Sequence, residues 1–493
     1  MLKKTLLASS IALTLLSSPA VFAANNFELR LPYGVLTAED VAAANPVSLT
    51  LATTGIPDPM QGVAYSYDLS GILTITGDNA PLASEIVWSY TGTLPTGLTL
   101  SSAGILSGTP TVLESGTYTV TATHSAITDS HTYTAIVGEA LFYASNIAAS
   151  QNWACALSTT GVGYCWGDGY LLNGSSANLS KPGLATNMGS GLAKLDISGT
   201  HGCALTTSGG AKCWGYGALG ALGQGANSTS GEALVDVFGL TSGVSDVVTG
   251  LSHSCAITTA GGLKCWGKNA DGQLGDGGIV NSNVPVDVVG MSSGVTSVDL
   301  SEAHTCAVQS GAVKCWGRNA YGQIGNGVSS STDILSPYAI PSLSSGIGQV
   351  AVGYDHTCAT SGGSTYCWGR NMSGQLGDGT TTYYSVPNLV PGLSGVTDMQ
   401  AEGDRTCTLI SDSVKCWGEN GQGQVGDGTT VDKKVPTTVS GLGSGVSSIS
   451  MGFWLSCAIM TDNVSKCWGM NHVGQVGNDN AGTTAKTPAI VKP

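Results

Sequence analysis

The sequence is poor in charged and in aromatic side chains. Of its 493 residues only 10% are charged and 6% aromatic, and 18 basic residues face 32 acidic ones. The net charge of −14 argues against binding to nucleic acid or anionic membranes, whose phosphates repel an acidic protein. No stretch beyond the N-terminus has the roughly eighteen apolar residues that a membrane helix needs. Amphipathic helical periodicity is scarce and glycine is abundant, so a large all-β protein is expected.

Cysteine is absent before Cys155 and regular after it. All 14 cysteines form pairs nine or ten residues apart, and the second member of each pair opens a Cys-Trp-Gly tripeptide. The pairs are Cys155/Cys165, Cys203/Cys213, Cys255/Cys265, Cys306/Cys315, Cys358/Cys367, Cys407/Cys416 and Cys457/Cys467. Their first members recur every 48 to 52 residues. A period near fifty indicates a repeated supersecondary unit.

The turn between the two cysteines predicts how they pair. In the fourth unit a two-residue loop at Ser310-Gly311 places Cys306 opposite Cys315 across a β-hairpin, close enough for a disulfide. Pairs spaced by ten need a three-residue loop whose third residue has positive φ. Those residues are Gly161, Gly209, Gly261 and Asn463. Zinc is disfavoured, because its cysteine ligands usually stand two to four residues apart. Seven intramolecular disulfides are therefore expected.

The N-terminus is typical of a secretory signal peptide. Lys3 and Lys4 precede an apolar stretch over 6–16, and Val21-Phe22-Ala23 precedes the cleavage site predicted after Ala23. Export would supply the oxidising compartment that disulfides require. The expected organisation is a signal peptide over 1–23, an N-terminal segment over 24–45, a β-sandwich over 46–138 and a repeat domain over 139–493. A periplasmic, cell-surface or secreted location is predicted.

The stretch over 46–138 contains short alternating strands separated by Gly, Pro and Ser turns, which favours a β-sandwich. Its Leu-Pro-x-Gly-Leu-x-Leu run at 94–100, Gly-x-Leu-x-Gly-x-Pro run at 104–110 and Gly-x-Tyr-x-Val-x-Ala run at 116–122 resemble the cadherin-like or immunoglobulin-like modules of bacterial surface proteins. Some cadherin-like relatives bind calcium. The acids here, Asp58, Asp68 and Asp78, are scattered, and we interpret them as turn residues. Trp88 is expected in the core.

From Leu141 onward each unit has a strand, the cysteine hairpin, an Asn-x-x-Gly-Gln-(Leu/Ile/Val)-Gly loop and a strand that often contains Pro. The first two loops are degenerate. The array resembles the regulator of chromosome condensation repeat family, which implies a seven-bladed β-propeller. The C-terminal Thr487–Val491 segment looks like a spare copy of the Pro-containing strand. Pairing it with the first blade would close the ring.

Three recurrent features receive structural interpretations. The Trp residues of the Cys-Trp-Gly tripeptides are expected to pack between blades, on the strand face opposite to the disulfide. His201, His253, His304 and His356, each two residues before a cysteine, are interpreted as structural, with a pH-sensitive histidine ring as the alternative. The Asp-Gly-x-x-Gly-Asp-Gly run at 271–277 is interpreted as a turn, with a calcium loop as the alternative. No cofactor, metal site or catalytic residue is predicted.

These observations favour an exported, non-enzymatic protein that binds a protein or a glycan through the loops of the propeller. Thr380–Ser385, Gly327–Ser336 and Gly225–Gly231 are the long, variable loops, and Tyr383 and Tyr384 are candidate contact residues. A surface adhesin in which glycan binding dominates is the first alternative. The second is an enzyme acting on an extracellular polymer, which would need two carboxylates converging in a cleft. Its candidates are Glu302, Asp355, Glu402 and Asp404. The oligomeric state is left open.

Overall fold

The structure is a computed structural model, and it divides the chain between Ala140 and Leu141 into two compact units. It describes residues 29–31, 34–36, 47–53, 56–60, 64–77, 80–112, 115–136, 141–168, 178–186, 188–228 and 231–493. The predicted signal peptide, its cleavage site and Asp78 lie outside these residues. Within them, every helix is too short to cross a bilayer.

The first unit is a small β-sandwich. Its strands are β1 Leu29–Leu31, β2 Gly34–Leu36, β3 Ser48–Leu51, β4 Tyr65–Asp68, β5 Leu73–Thr76, β6 Val87–Gly92, β7 Leu98–Leu100, β8 Ile105–Gly108, β9 Ser115–His124 and β10 Ile127–Ile136, with 3₁₀ turns at Leu69–Ile72 and Ala83–Glu85. The main sheets have the orders β10-β9-β6 and β4-β8-β7. Strand β9 alternates buried and exposed side chains, as a strand with one face on a core should. Trp88 is buried in that core, beside Leu106 and Val120, as predicted.

The second unit contains seven sheets of four consecutive strands, each forming one blade of a β-propeller. Blade 1 comprises β11 Ala144–Ala149, β12 Trp153–Ser158, β13 Gly163–Gly167 and β14 Leu179–Leu184; blade 2, β15 Leu192–Ser198, β16 His201–Thr206, β17 Ala211–Tyr216 and β18 Gly231–Asp236; blade 3, β19 Val244–Thr249, β20 His253–Thr258, β21 Leu263–Gly267 and β22 Ser282–Asp287; blade 4, β23 Val295–Leu300, β24 His304–Gln309, β25 Ala312–Gly317 and β26 Ile334–Ala339. Blade 5 comprises β27 Ile347–Val352, β28 His356–Ser361, β29 Ser364–Gly369 and β30 Tyr384–Ser394; blade 6, β31 Val396–Glu402, β32 Arg405–Ile410, β33 Ser413–Gly418 and β34 Lys433–Thr438; blade 7, β35 Val446–Met451, β36 Leu455–Met460, β37 Ser465–Gly469 and β38 Ala485–Ile490. Two further 3₁₀ turns lie at Ala218–Gly220 and Pro341–Leu343.

Each disulfide joins the second and third strands of one blade. The bonded pairs are Cys155–Cys165, Cys203–Cys213, Cys255–Cys265, Cys306–Cys315, Cys358–Cys367, Cys407–Cys416 and Cys457–Cys467, the pairs expected from the sequence. Their Cα atoms are 4.0 to 4.1 Å apart, slightly closer than the spacing typical of such strand pairs. No cysteine of the chain is left free, since all fourteen lie within the described residues.

The turns between the cysteines have the predicted geometry. In blade 4 Gln309 pairs with Ala312, so that Ser310 and Gly311 form a two-residue loop and Cys306 lies opposite Cys315. In the hairpins spaced by ten, the third loop residue has a positive φ of 78, 78, 77 or 67°, at Gly161, Gly209, Gly261 and Asn463 respectively. Loop length therefore sets the register that brings the sulfur atoms together.

The predicted mode of ring closure is wrong. The C-terminal strand β38 pairs with β37 and is the outer strand of blade 7, not an added strand of blade 1. Strand β38 is not an extra strand, because every cysteine hairpin is followed by the outer strand of its own blade. The ring closes from the other end, where Phe142 enters blade 7 by donating its N–H to Val491 and accepting one from Ser465. Tyr143 pairs with Val464 beside it.

Seven similar apolar clusters fill the spaces between blades. In each, the disulfide of one blade packs with the tryptophan of the next. The sets are Cys155, Cys165 and Trp214; Cys203, Cys213 and Trp266; Cys255, Cys265 and Trp316; Cys306, Cys315 and Trp368; Cys358, Cys367 and Trp417; Cys407, Cys416 and Trp468; and Cys457, Cys467 and Trp166.

The last of these sets joins blade 7 to blade 1 and completes the circle. Disulfide and indole therefore face opposite neighbours, as strand alternation predicts. Burial of one indole removes on the order of 200 Å² of surface from water, so each cluster stabilises the junction between two blades.

Candidate recognition face

Strand order places two sets of loops on one face of the propeller. The loop between strands 1 and 2 and the loop between strands 3 and 4 lie at the same end of each antiparallel blade. The hairpin turns between the cysteines lie at the opposite end. We call the first end the loop face. The three long loops singled out in the sequence connect strands 3 and 4 and belong to it, although residues 229–230 fall outside the described chain.

The fourteen cysteines lie within the blades and act as structural residues. Thirteen of them are buried, including Cys213, Cys367 and Cys416. Cys165, in the first unit, is only partly buried. With both sulfur atoms of every pair bonded to each other, the cysteines offer neither a nucleophile nor a thiolate ligand to the loop face.

The four repeated histidines lie beneath the loop face and connect adjacent blades. They are fully buried, and their Nε2 atoms contact hydroxyls of the next blade. The contacts are His201–Ser254 at 2.8 Å, His253–Thr305 at 2.9 Å, His304–Thr357 at 3.0 Å and His356–Thr406 at 2.9 Å. The threonine hydroxyls donate onward to the backbone carbonyls of Gln273, Gln323 and Gln375, so the histidines donate from Nε2. Burial lowers the pKa of His201 to about 4, and that of the other three to about 3. They are structural residues and do not form an exposed ring.

The Asn-x-x-Gly-Gln-x-Gly loops are interblade connectors. In blade 3 the Asn269 side chain donates to Asp276 and accepts from the N–H of Leu274, which holds the loop closed. The carbonyl of Gln273 then accepts the indole N–H of Trp316 at 2.9 Å. A Cβ on Gly275 would lie 2.6 Å from that indole, and φ there is +68°, so only glycine fits. Asp276 is occupied within the turn, which supports the turn interpretation of 271–277.

Acidic side chains also lie around the central axis, which the first strand of every blade lines. Asp196 accepts from the N–H and hydroxyl of Thr249, and Asp299 from the N–H of Val352, in each case in the next blade. Burial, reinforced by neighbouring carboxylates, raises the pKa of Asp299 and of Glu402 to about 8, although solvent still reaches part of each side chain. Among the described residues, no three His, Cys, Asp or Glu side chains form a metal-binding group.

Three successive blade junctions on the loop face carry ion pairs. A basic residue directly after Cys-Trp-Gly pairs with an acid in the 1–2 loop of the next blade. The pairs are Lys268–Glu302 at 3.8 Å, Arg318–Asp355 at 3.9 Å and Arg370–Asp404 at 2.9 Å. Gln323 and Gln375 hold Asp355 and Asp404 from below, each at 2.9 Å. At the following junction Glu419 replaces the basic residue and Trp454 the acidic one.

The two arginines of these ion pairs converge on a tyrosine. The guanidinium carbons of Arg318 and Arg370 lie over the Tyr321 ring, 6.0 and 5.7 Å from its centroid. Tyr383 packs edge-on against Tyr321 with centroids 5.8 Å apart, and it lies close enough to Arg370 to influence the pKa of that guanidinium. Burial works to lower the pKa of Arg370, but Asp404 and Tyr383 outweigh it and raise that pKa. We call Arg318, Tyr321, Arg370 and Tyr383 the arginine–tyrosine cluster.

The two candidate contact tyrosines occupy different environments. Tyr383 is 40% exposed at the cluster. Tyr384 begins the outer strand of blade 5, pairs with Gly369 and packs against the apolar clusters on both sides of that blade. Arg318, Tyr321 and Arg370 were not singled out in the sequence. A charge pattern in the sequence could have indicated the two arginines. A basic residue follows Cys-Trp-Gly in one repeat, and in the next repeat an acid directly precedes the residue, His356 or Arg405, that lies two positions before the first cysteine.

Three of the four carboxylates considered for catalysis are neighbours on the loop face, where Asp355 feels the charges of Glu302 and Asp404. Asp355 and Asp404 are ion-paired with arginines. Glu302 lies beside Tyr354, and its interaction with that phenol is the largest cause of the raised pKa of Tyr354, about 12. Glu402 belongs instead to the axial group with Asp299. The arrangement has the character of a binding surface held by ion pairs.

Comparison with known families agrees with this architecture. Models of the regulator of chromosome condensation (RCC1) repeat match residues 261–308, 310–360, 362–409 and 412–459, and a second model of this repeat matches 244–273 and 446–475. Over the matched residues the propeller consists of RCC1 repeats. The two degenerate units precede the first matched residue. The Ig-domain model He_PIG matches residues 45–138 of the first unit.

Relatives match part of the chain. Human E3 ubiquitin-protein ligase HERC2 is 31% identical over 251 residues, which are 49% of this chain and 5% of that protein. The ultraviolet-B receptor UVR8 of Arabidopsis thaliana is 30% identical over 153 residues, 30% of this chain and 35% of the receptor. The chain thus spans only a minor part of these relatives.

Solved structures share the RCC1 propeller fold. Prp20p of Saccharomyces cerevisiae, described with its binding to Gsp1p and histones, superimposes with a TM-score of 0.60 at 17% identity, covering 72% of this chain and 88% of that one. Human WBSCR16 gives 0.56 at 21% identity, covering 65% and 87%. At this identity the likeness concerns the fold alone.

Proposed function

We propose that this RCC1 propeller is an exported, non-enzymatic binding protein that recognises a protein partner through its loop face. The arginine–tyrosine cluster carries the proposal. Its four large side chains come from two adjacent blades, are fixed by ion pairs and ring contacts, and remain partly exposed. Tyrosine and arginine are the residues that most often dominate protein interfaces, and fixing them beforehand reduces the entropy lost on binding.

Two observations support export. The N-terminal sequence is typical of a signal peptide, and no cysteine is left unpaired, since all fourteen form disulfides. Disulfides of this density are rare in reducing compartments. The relatives add that RCC1 propellers occur in binding proteins, as with Prp20p and its binding to Gsp1p and histones.

Affinity capture from envelope and culture fractions, with the oxidised mature chain as bait, tests the proposal. Tyr383→Ala should abolish capture of the partner, because it removes the exposed ring that packs on Tyr321 beside Arg370. Tyr216→Ala is the matched control, since Tyr216 is also 40% exposed and follows Cys-Trp-Gly on blade 2, away from the cluster. Equal loss of capture with both variants would contradict recognition by the cluster. A glycan array hit lost on Tyr383→Ala would instead assign the adhesin function.

A further inference from the structure

The two arginines of the arginine–tyrosine cluster differ in how far their charge is satisfied. Arg370 donates from Nη1 to both carboxylate oxygens of Asp404, at 2.9 and 3.2 Å. Arg318 approaches one acid, Asp355, at 3.9 Å, which is beyond hydrogen-bonding distance. Asp355 is itself 2% exposed and accepts from Gln323. Arg318 is therefore a fixed cation whose guanidinium edge is still available to an incoming acceptor.

The surroundings of Arg318 favour a single carboxylate. A guanidinium held over a ring keeps its planar N–H fork, which can bind a carboxylate through two parallel hydrogen bonds. Exposed apolar surface flanks the position, with Met372 61% and Tyr383 40% exposed. Arg370 donates to the Met372 sulfur at 3.6 Å, which places that side chain beside the cluster.

The charge of the molecule limits which class of ligand can carry this carboxylate. The net charge of −14 repels a polyanion such as an acidic polysaccharide. Asp333 lies close enough to feel the charges of both Asp271 and Arg318. Burial and Asp271 raise the pKa of Asp333, and the opposing effect of Arg318 is smaller, so that this pKa stays raised. An acidic rim of this kind attracts basic groups next to the carboxylate. A polypeptide combines one carboxylate with apolar and basic neighbours in a short span.

We infer that the arginine–tyrosine cluster binds a carboxylate side chain of a protein partner, with Arg318 as the anchoring cation and Tyr321, Tyr383 and Met372 as apolar contacts. This inference rests on the proposed function and names its partner chemistry. Arg370 obtains its close ion pair from Asp404 within the chain. The partner's carboxylate would supply the equivalent close ion pair to Arg318.

A displayed random-peptide library selected against the full oxidised chain tests this inference. Selected peptides should carry Asp or Glu beside an apolar residue. Each is then synthesised with the acid or with its amide analogue, Gln or Asn. The amide should weaken binding at least about tenfold, as close interfacial charge pairs do. Arg318→Gln should weaken the acidic peptide equally and leave the amide peptide unchanged, while Arg318→Lys should restore only part of the affinity.

Lys181→Gln is the control for net charge, because it removes one positive charge from an exposed site on blade 1. It should change nothing. Some peptides could lose binding on Tyr383→Ala and yet bind equally with the acid or its amide analogue, and equally to the wild-type protein and to the Arg318→Gln variant. Such peptides would overturn the inference and leave the proposed function standing. If no selected peptide is weakened by Tyr383→Ala, both fail. Binding of uronic-acid glycans that requires Arg318, in place of peptides, would also overturn it.

Discussion

Mild acid should destabilise the propeller through its buried histidines. Each has a folded-state pKa of about 3 or 4 against an ordinary value of 6.5, because burial disfavours the charged ring. Between these values each histidine binds more protons in the unfolded chain than in the folded one, so the histidine contribution to the free energy of unfolding falls as the pH drops below about 6.5. At pH 5 the loss is roughly 2 kcal/mol per histidine, from about 1.4 kcal/mol for each pH unit.

The contribution of a single histidine is measurable by difference. Urea unfolding of the oxidised chain, followed by tryptophan fluorescence from pH 7.5 to 5, gives the pH slope for wild type, His253→Gln and His472→Gln. His253→Gln should lose stability at pH 7, through an imperfect hydrogen bond to Thr305, and have a shallower slope by about one proton. His472 is exposed, and His472→Gln serves as the control for removing one imidazole from the chain.

The axial carboxyl groups act in the opposite direction but equally in all three proteins. The pKa of Asp299 and of Glu402 is raised to about 8, mainly by burial. Their contribution is present at low pH and is lost as the pH rises through about 8. Subtracting the variant from wild type removes this contribution. Identical slopes for wild type and His253→Gln between pH 6.5 and 5 would refute the description of these histidines as buried neutral connectors.

Three further predictions concern the ring. Trp166→Ala and Trp316→Ala should each lower the free energy of unfolding by about 3 to 5 kcal/mol in denaturant titrations, because both leave a cavity in an interblade cluster. A negligible loss for Trp166→Ala would contradict closure between blades 7 and 1. Deletion of residues 487–493 should remove hydrogen-exchange protection from Ser465–Gly469, the strand of blade 7 that pairs with β38, and should leave Gly163–Gly167 in blade 1 protected. The reverse pattern would support the mode of ring closure predicted from the sequence. Replacing Cys306 and Cys315 together by Ala should cost at most about 3 kcal/mol, since the hairpin already restrains that short loop, and a cost well above this would show that the bond does more than close its own hairpin.

Features set by neighbours in the sequence were predictable. The positive φ at Gly161 and Asn463 follows from loop length, and the placement of Trp316 opposite to its disulfide follows from strand alternation. These depend on geometry within a few residues. The local rules for hairpins therefore transferred directly from sequence to structure.

The closure and the recognition face were harder to predict for a common reason. A repeat fixes its period but not the residue at which a blade begins, so the spacing alone suggests the wrong partner for β38. Arg318, Tyr321 and Arg370 meet because two blades lie side by side, which no spacing within one unit reveals. The charge pattern linking one repeat to the next is the sequence signal that does register such contacts.

The arrangement of the sulfur atoms has a consequence for how the molecule matures. Because every cysteine bonds to its neighbour in the order of the chain, from Cys155–Cys165 to Cys457–Cys467, an oxidant that joins thiols in their order of appearance produces the native set without later reshuffling. A partly synthesised chain can complete each ribbon before the following one exists. Covalent maturation is then sequential, while assembly of the circle waits for the last blade to meet Phe142.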